Sequence, residues 1–210
     1  MSVETPPTPS PKRRIGLFGG TFDPPHVGHL LTGQSVAEHR NYDQLWFVVA
    51  NDPWQKRAAR NVSPAEIRLM MVDQACYWSR HPHFALKSCE TEIRAGGPSY
   101  TADTLRTLQG SFPGTDFEVI VGSDAGAQLH TWHDSAWLAE RASFVMVQRG
   151  GQRGAPSPGF RVSVVDAPLI EVSSTDIRHR VSAGLPIANM VSPPVEALLR
   201  AHGLYKELAP

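Results

Sequence analysis

Short apolar runs alternate with longer amphipathic or polar stretches along most of the chain. The apolar runs have the length of buried strands and predict strands at 15–18, 45–50, 83–91, 117–122, 143–148 and 160–166. Between them the pattern predicts helices, including 27–39, 100–110 and 134–141. Such an alternation is typical of an α/β fold in which helices cover both faces of a mainly parallel, doubly wound sheet.

Two helices carry specific terminal signals. The segment Ser63–Glu66 offers an N-cap serine, a proline in the first turn and a capping-box glutamate, so we expect a helix from there to about Trp78. Near the C-terminus, residues 192–205 predict a short helix that ends at Gly203. The polar, basic stretch after the second strand and the glycine- and proline-rich residues 149–159 predict exposed loops.

The first 14 residues differ in character from the rest of the chain. They are rich in proline, serine and threonine and end in basic residues, and such a segment buries too little apolar surface to order itself. We therefore expect a disordered tail over 1–14 and one domain over 15–210, since the remaining length suits a single core. Nothing in the sequence indicates whether the protein forms a homo-oligomer.

Composition excludes several classes of protein. The 210 residues include 20 basic and 20 acidic side chains, whereas a nucleic-acid-binding surface needs an excess of cations. The two cysteines, Cys76 and Cys89, are too few for a disulfide framework and lack the spacing of a structural zinc site. No apolar run approaches the roughly 20 residues of a membrane span. We therefore expect a cytoplasmic protein that binds neither nucleic acid nor membrane.

A glycine turn and two histidines follow the first predicted strand, in the segment GGTFDPPHVGH at 19–29. The paired glycines would let backbone N–H groups approach an anion closely, and the next helix N-terminus would add a favourable dipole. His26 and His29 would share one helix face, and Gly28 between them would leave that face open to a ligand. Separately, a glycine turn and a solvated histidine pair are common features, but their combination after a strand predicts a phosphate site.

A second anion-binding pattern lies late in the chain, in the segment SSTDIR at 173–178. Hydroxyl groups and N–H groups at a helix start bind anions, and Arg178, one turn into the helix, could hold phosphate oxygens in a bidentate fork. Alone, this pattern equally describes a capped surface helix. Its coincidence with the first motif favours a phosphate site.

Both segments resemble the GGTFDPxHxGH and SSTxIR motifs of bacterial nicotinate-nucleotide adenylyltransferases, within the HxGH nucleotidyltransferase superfamily. The resemblance extends from Ile15 to Tyr205 and departs from the family at Pro25 and at Gly126, where larger apolar residues are usual. It implies a Rossmann-like single domain and attack by the 5′-phosphate of nicotinate mononucleotide on the α-phosphorus of ATP. The products would be nicotinate adenine dinucleotide and pyrophosphate, in NAD biosynthesis.

The resemblance also implies roles for individual residues, with Mg²⁺ held mainly by ATP phosphates and water. The catalytic residues would be His26, His29, Arg178 and Lys56. The ATP-binding residues would be Gly19, Gly20, Thr21, Phe22, Gly122, Asp124, Ser173, Ser174, Thr175 and Ile177. The residues that bind nicotinate mononucleotide would be Ser99, Tyr100, Thr101 and Trp132.

Several of these roles have structural alternatives that the sequence leaves open. Asp124 could simply cap a turn, Trp132 could be a core residue, and Tyr100 could belong to a capped helix start. Lys56 could be a solvated surface lysine. His130 and His133 flank Trp132, but no third ligand nearby indicates a metal site.

Alternatives also remain for the function as a whole. The acceptor could be nicotinamide mononucleotide or phosphopantetheine instead of nicotinate mononucleotide. A rival of another class is a nucleotide sensor that kept the fold and lost the reaction. Intact His29 and Arg178 argue against the sensor, and pyrophosphate release with each acceptor in turn would distinguish these functions.

Overall fold

The computed structural model describes residues 12–52, 62–150 and 154–206. Over these residues six parallel strands form one sheet in the order β3-β2-β1-β4-β5-β6. The strands are β1 (Arg13–Gly20), β2 (Gln44–Val49), β3 (Ala85–Cys89), β4 (Thr115–Gly122), β5 (Ser143–Arg149) and β6 (Arg161–Ala167). The order reverses at β1, as in doubly wound dinucleotide-binding folds. The predicted fold class is confirmed.

Helices connect most of these strands or follow the last one. They are α1 (Val27–Arg40), α2 (Ala65–Trp78), α3 (Thr91–Ala95), α4 (Thr101–Ser111), α5 (Ser123–Ala127), α6 (Ser135–Arg141), α7 (Ser174–Ser182) and α8 (Pro193–Ala201). A 3₁₀ turn, Leu129–Thr131, lies between α5 and α6. No helix within the described ranges is both long and apolar enough to cross a membrane.

The strands and long helices lie close to their predicted positions, but some ends differ. β1 begins at Arg13, two residues earlier than expected, because Arg13 and Arg14 pair with Thr115 and Asp116 of β4. The tail prediction for residues 1–11, the basic loop at 53–61 and residues 151–153 lie outside the described residues.

The predicted capping box at the start of α2 is wrong. Pro64 has an extended backbone, with φ −48° and ψ 142°, and is itself the N-cap, without a side-chain cap hydrogen bond. Ser63 therefore lies outside the helix, too far back to cap it. Its backbone instead binds two other side chains: its N–H donates to Asp23, and its carbonyl accepts from Arg68.

The four central strands, β2, β1, β4 and β5, are buried on both faces, which explains their continuous apolar sequences, whereas the edge strands β3 and β6 are partly exposed. On one face Ile15, Leu17 and Val119 belong to a cluster with α4 and α6, and on the other Phe18 and Ile120 pack with α1 and α2. Since alternate residues of a strand point to opposite faces, each strand contributes to both clusters. The sheet is thereby fixed as a rigid platform.

A third apolar cluster joins the C-terminal part of the chain to α2. Met71 and Ala75 of α2 pack with Ile177 of α7 and with Val195 and Leu199 of α8. This packing brings α7 and the chain after α8 towards the end of β1. Residues distant in sequence thus come together around the first motif.

The two cysteines are buried in the sheet and α2, and neither is in a disulfide. Burial raises the pKa of the Cys76 thiol to about 12, and burial is also the main reason that the pKa of Cys89 is raised. Both thiols are therefore protonated at neutral pH and behave as small apolar side chains.

Candidate active site

A cavity of about 580 Å³ lies at the carboxyl ends of β1, β2 and β4, where the strand order reverses. This is the place where open α/β sheets bind their ligands. Residues from four separate parts of the chain line it, among them Thr21, Asp52, Ser99, Asp124, Trp132 and His133. The fold therefore brings together the two middle segments and part of the first motif that the sequence analysis selected.

The two motif histidines form one unit at the start of α1. His26 is the N-cap residue, with extended backbone, and its N–H donates to Nδ1 of His29 at 3.3 Å. Their rings are tilted by 32° to each other, with centroids 3.7 Å apart. His26 is only 7% exposed, and the edge of the Phe22 ring contacts His29 at a centroid distance of 5.0 Å. The imidazoles are thus held rigidly at the positive end of a helix dipole.

The glycines of the first motif make room for side chains of the same motif. A Cβ at Gly28 would lie 2.9 Å from Nδ1 of His26, and a Cβ at Gly20 would lie 2.7 Å from the Phe22 ring. Gly28 therefore accommodates the His26 ring, which differs from the expectation that it opens the helix face to a ligand. Phe22 itself has a positive φ of 49°, so the turn is tightly constrained.

The second motif is hydrogen-bonded directly to the first, although the two are about 150 residues apart in sequence. Ser174 donates its hydroxyl to the carbonyl of Pro24 at 2.9 Å. Arg178, which is 7% exposed, donates from Nη1 to the carbonyl of Asp23 at 2.8 Å and from Nη2 to Thr175 Oγ1 at 3.0 Å. The two motifs therefore form a single structural unit beneath the end of β1.

Besides Ser174 and Thr175, three further predicted nucleotide-binding side chains have other partners or positions. Ser173 is the N-cap of α7 and accepts from the N–H of Asp176 at 3.0 Å. The side chains of Phe22 and Ile177 lie in the apolar core. Only the backbone of Phe22 and Ile177 could contact a nucleotide.

The carboxyl end of β4 supplies Asp124 to the cavity. Asp124 lies in the first turn of α5, is exposed and lines the cavity, while Gly122 precedes it as the N-cap. The hydroxyl of Ser123 donates to the carbonyl of Val147 at 3.1 Å and fixes α5 on β5. The helix forms despite Gly126, where a Cβ would lie 2.6 Å from the Met146 sulfur. Gly126 thus lets α5 approach β5 closely.

Aromatic rings form the other wall of the cavity. Trp132 is partly buried, packs edge-on against Phe144 at a centroid distance of 6.2 Å, and also lines the cavity. The ring of Tyr100 stacks on His133 with centroids 4.3 Å apart. Trp132 thus contacts the core and also presents a surface to the cavity, while its contact with nicotinate mononucleotide stays a prediction.

The first turn of α4 and the segment before it are held by hydrogen bonds to α3 and to Asn51, which follows β2. The N–H of Asn51 donates to Ser99 Oγ at 2.9 Å, and Thr104 donates its hydroxyl to Glu92 at 2.8 Å. Burial raises the pKa of Glu92, although hydrogen bonds from Ser99 and Thr104 oppose the rise. These contacts place Tyr100, the N-cap of α4, and Thr101, its first residue, beside the cavity.

Three polar residues at the site, two of them buried and one part-buried, were missed by the sequence analysis. Asp23 lies within the first motif and is 1% exposed, and Arg68 is also 1% exposed. Tyr205 donates its hydroxyl to Asp23 Oδ1 at 2.6 Å. Arg68 could have been noticed, because it occupies the apolar stripe of α2 with Met71 and Ala75. Lys56 lies outside the described residues.

Comparison with known proteins places these features in a family. Residues 17–180 match the cytidylyltransferase-like family model. The chain is 41% identical over 192 residues to a protein of Exiguobacterium sibiricum, an alignment covering 91% of this chain and 98% of the relative. It is 39% identical over 199 residues to one of Saccharopolyspora erythraea, covering 94% and 92%. Both relatives are named "Probable nicotinate-nucleotide adenylyltransferase".

A solved structure of much lower sequence identity has the same fold. Nicotinic acid mononucleotide adenylyltransferase of Plasmodium falciparum, complexed with NaAD, aligns with a TM-score of 0.74 at 17% identity. The alignment covers 92% of this chain and 98% of that one. The chain therefore belongs to the cytidylyltransferase-like family and, within it, to the nicotinate-nucleotide adenylyltransferases.

Proposed function

We propose that the protein transfers the adenylyl group of ATP to nicotinate mononucleotide, which yields nicotinate adenine dinucleotide and pyrophosphate. The observation that carries this proposal is the direct hydrogen bonding of two phosphate motifs beside a cavity with an aromatic wall. The names of the relatives support the same acceptor.

The reaction needs alignment and charge neutralisation more than proton transfer. A phosphate monoester has a second pKa near 6, so the attacking phosphate is largely dianionic at neutral pH and needs no general base. His26 and His29 would donate to the ATP phosphates from the start of α1, and Arg178 would offset the charge that develops on the departing pyrophosphate. Lys56 is proposed as a further cation for these phosphates.

The aromatic wall suits the pyridine nucleotide. The flat face of Trp132 offers a stacking surface for a pyridine ring, and N–H groups at the start of α4, near Tyr100 and Thr101, would bind the ring carboxylate. Asp124, exposed at the end of β4, would accept hydrogen bonds from a ribose. ATP would then lie between α1 and α5. Its α-phosphate would be directed towards the pyridine side of the cavity, which is the part lined by Ser99, Tyr100, Thr101 and Trp132.

Mg²⁺ is proposed as the cofactor and would enter with ATP. Among the described residues, no group of three or more His, Cys, Asp or Glu side chains could hold a metal ion. The residues present therefore suit an ion that takes most of its ligands from phosphates and water, as Mg²⁺ commonly does. When bound, it would neutralise phosphate charge.

The remaining proposals concern the alternatives and the location. Nicotinamide mononucleotide and phosphopantetheine are the competing acceptors, and a sensor without catalytic activity is the competing class. Cys76 and Cys89 are not joined in a disulfide, which suits a reducing compartment, and we propose the cytoplasm.

Replacing His29 by alanine tests the role of the first motif. We expect H29A to lower kcat/KM by at least tenfold, which corresponds to about 1.4 kcal/mol of transition-state stabilisation. A suitable control is H39A, because His39 is exposed near the other end of α1 and binds only the carbonyl of Ser35 among the contacts described. The measurement is the rate of pyrophosphate release at saturating and limiting ATP.

H39A is expected to remain within twofold of the wild type. If H29A also kept its activity within about tenfold while folded, the proposed role of His29 would be wrong.

A further inference from the structure

Arg68 is a charged residue in a position where the helix pattern calls for an apolar one. It is 1% exposed and shares the buried stripe of α2 with Met71, Val72 and Ala75. A buried charge is costly unless it is well hydrogen-bonded, and an apolar side chain of similar size often replaces it without loss of stability. The reason for a guanidinium at this buried position therefore lies in the groups that it binds.

The guanidinium binds four backbone carbonyls from three separate segments. Nη1 donates to Thr21 at 2.8 Å and to Ala50 at 2.7 Å. Nη2 donates to Asn51 at 3.0 Å, and Nε donates to Ser63 at 2.9 Å. A planar group with five N–H donors can make this set of bonds, whereas a lysine ammonium cannot match its geometry.

These carbonyls connect the two sides of the cavity: the phosphate side, at Gly20 and Thr21, and the pyridine side, at 99–101. Thr21 follows the glycine turn of the first motif, while Ala50 and Asn51 follow β2, and Thr21 and Ala50 line the cavity. Because a peptide unit is planar, fixing the carbonyl of Ala50 also fixes the N–H of Asn51 on its opposite side. That N–H donates to Ser99 on the pyridine side. Arg68 thus connects the phosphate side to the pyridine side: its guanidinium binds Thr21 and Ala50, and the peptide unit between Ala50 and Asn51 binds Ser99.

The turn that contains Thr21 and Asp23 is also held by a second set of hydrogen bonds. Ser63, whose carbonyl binds Arg68, donates its N–H to Asp23 Oδ2 at 3.4 Å. Tyr205 donates its hydroxyl to the other oxygen of Asp23 at 2.6 Å. Both carboxylate oxygens therefore take part in holding the motif.

We infer that Arg68 is a positioning residue for adenylyl transfer: it fixes the phosphate motif, through Thr21, relative to the pyridine side, through Ala50 and Asn51. The inference rests on the proposed function. Arg68 acts on the alignment of two bound substrates, and a misplacement of about 1 Å between reacting groups lowers the rate by about 100-fold. Its removal therefore lowers kcat much more than it raises either KM.

Two substitutions test this role. R68K keeps the charge and loses the planar fork, whereas R68M keeps most of the volume and loses every donor. The control is R40K, since Arg40 forms a similar fork to Glu118, with Nε at 3.0 Å and Nη2 at 2.6 Å, and does not line the cavity. Each variant is assayed at a temperature where circular dichroism shows it to be fully folded.

We expect R68K and R68M to lower kcat by about 30- to 100-fold, by the alignment argument, while both KM values stay within about threefold. R40K is expected to keep kcat within twofold. A folded R68K with kcat within threefold of the wild type would overturn the inference. So would a rise in one KM with unchanged kcat, because Arg68 would then be a binding residue for one substrate.

Y205F provides a further variant if neither Arg68 substitution folds. It removes only the hydroxyl that binds Asp23, and we expect kcat to fall by about 3- to 10-fold with little change in KM, as a weaker disturbance of the same turn. An unchanged kcat in Y205F would then overturn the inference.

Amide hydrogen exchange separates this inference from the proposed function. We expect R68K to increase exchange in both the 19–29 and 45–52 segments, and R40K to increase it in neither. A wild-type protein that releases no pyrophosphate would overturn the proposed function. Unchanged exchange in both segments of R68K would overturn the inference itself.

Discussion

The carboxylate of Asp23 shows how a motif residue can act at a distance from the chemistry. The carboxylate oxygens accept from Tyr205 and from the N–H of Ser63, and the backbone carbonyl of Asp23 accepts from Arg178. These partners are 182, 40 and 155 residues away in sequence. The sequence could identify the motif that contains Asp23, but not these contacts, because no local pattern encodes a partner so distant.

Burial keeps the phenol of Tyr205 in its donor form. Burial is the largest cause that raises the pKa of Tyr205, and the neighbouring charge of Asp23 adds to the rise. The hydroxyl therefore stays protonated and donates to Asp23 throughout the neutral range.

Trp132 carries a prediction about substrate binding. We expect W132A to raise the KM for nicotinate mononucleotide by about tenfold, because a stacking surface worth about 1 kcal/mol or more is lost. The KM for ATP should change little. Steady-state kinetics with each substrate varied in turn provides the measurement.

W132F is the matched variant, since it keeps an aromatic face at the cavity and should recover most of the affinity. Equal KM values for nicotinate mononucleotide in W132A and the wild type would show that Trp132 serves only the core, through Phe144.

Among the elements, strands and long helices were predictable because their apolar runs match the burial of each element. The start of α2 was not predictable. The pattern at 63–66 fits a capping box with Ser63 as the N-cap, but the backbone of Pro64 is extended, so the helix begins one residue later, at Ala65. The short helix α3 also escaped prediction. Its five residues give too little periodicity to distinguish a helix from the end of a strand.

An ion pair between elements gives the stability a defined pH dependence. Glu118 of β4 accepts from Arg40 at the end of α1 and, at 2.6 Å, from Tyr42. Burial alone would raise the pKa of Glu118, but the hydrogen bonds from Arg40 and Tyr42 outweigh it and lower the pKa. The folded pKa thus lies below the unfolded one. The stabilisation is complete well above the unfolded value and is lost as the pH falls through the folded value.

E118Q tests this dependence. At pH 7 we expect E118Q to reduce the free energy of unfolding by about 1–3 kcal/mol, the usual cost of leaving a part-buried charged group without its partner. The difference from the wild type should shrink as the pH falls below about 4.3, the ordinary pKa of glutamate. Urea unfolding at several pH values provides the measurement. The same difference at pH 7 and at the lowest pH would contradict the assigned ion pair.

At the scale of the whole molecule, the alternation of apolar runs and helices was enough to predict a doubly wound sheet. It could not provide the strand order or the residues that meet at the point where that order reverses. Asp52, for example, lines the cavity beside Thr21 without standing out in the sequence, and His133, which the sequence suggested only as a rejected metal ligand, lines it beside Trp132. Their positions depend on which strands are neighbours, which is decided by packing across the whole sheet.

The central claim is that this cavity joins ATP to nicotinate mononucleotide, and product analysis tests it most directly. The purified wild-type protein is incubated with ATP and Mg²⁺ and with each acceptor in turn, and pyrophosphate and dinucleotide are quantified together. We predict equal amounts of pyrophosphate and nicotinate adenine dinucleotide, formed at least about tenfold faster than any product from nicotinamide mononucleotide or phosphopantetheine. Faster turnover of another acceptor, or no pyrophosphate with any of them, would contradict the account.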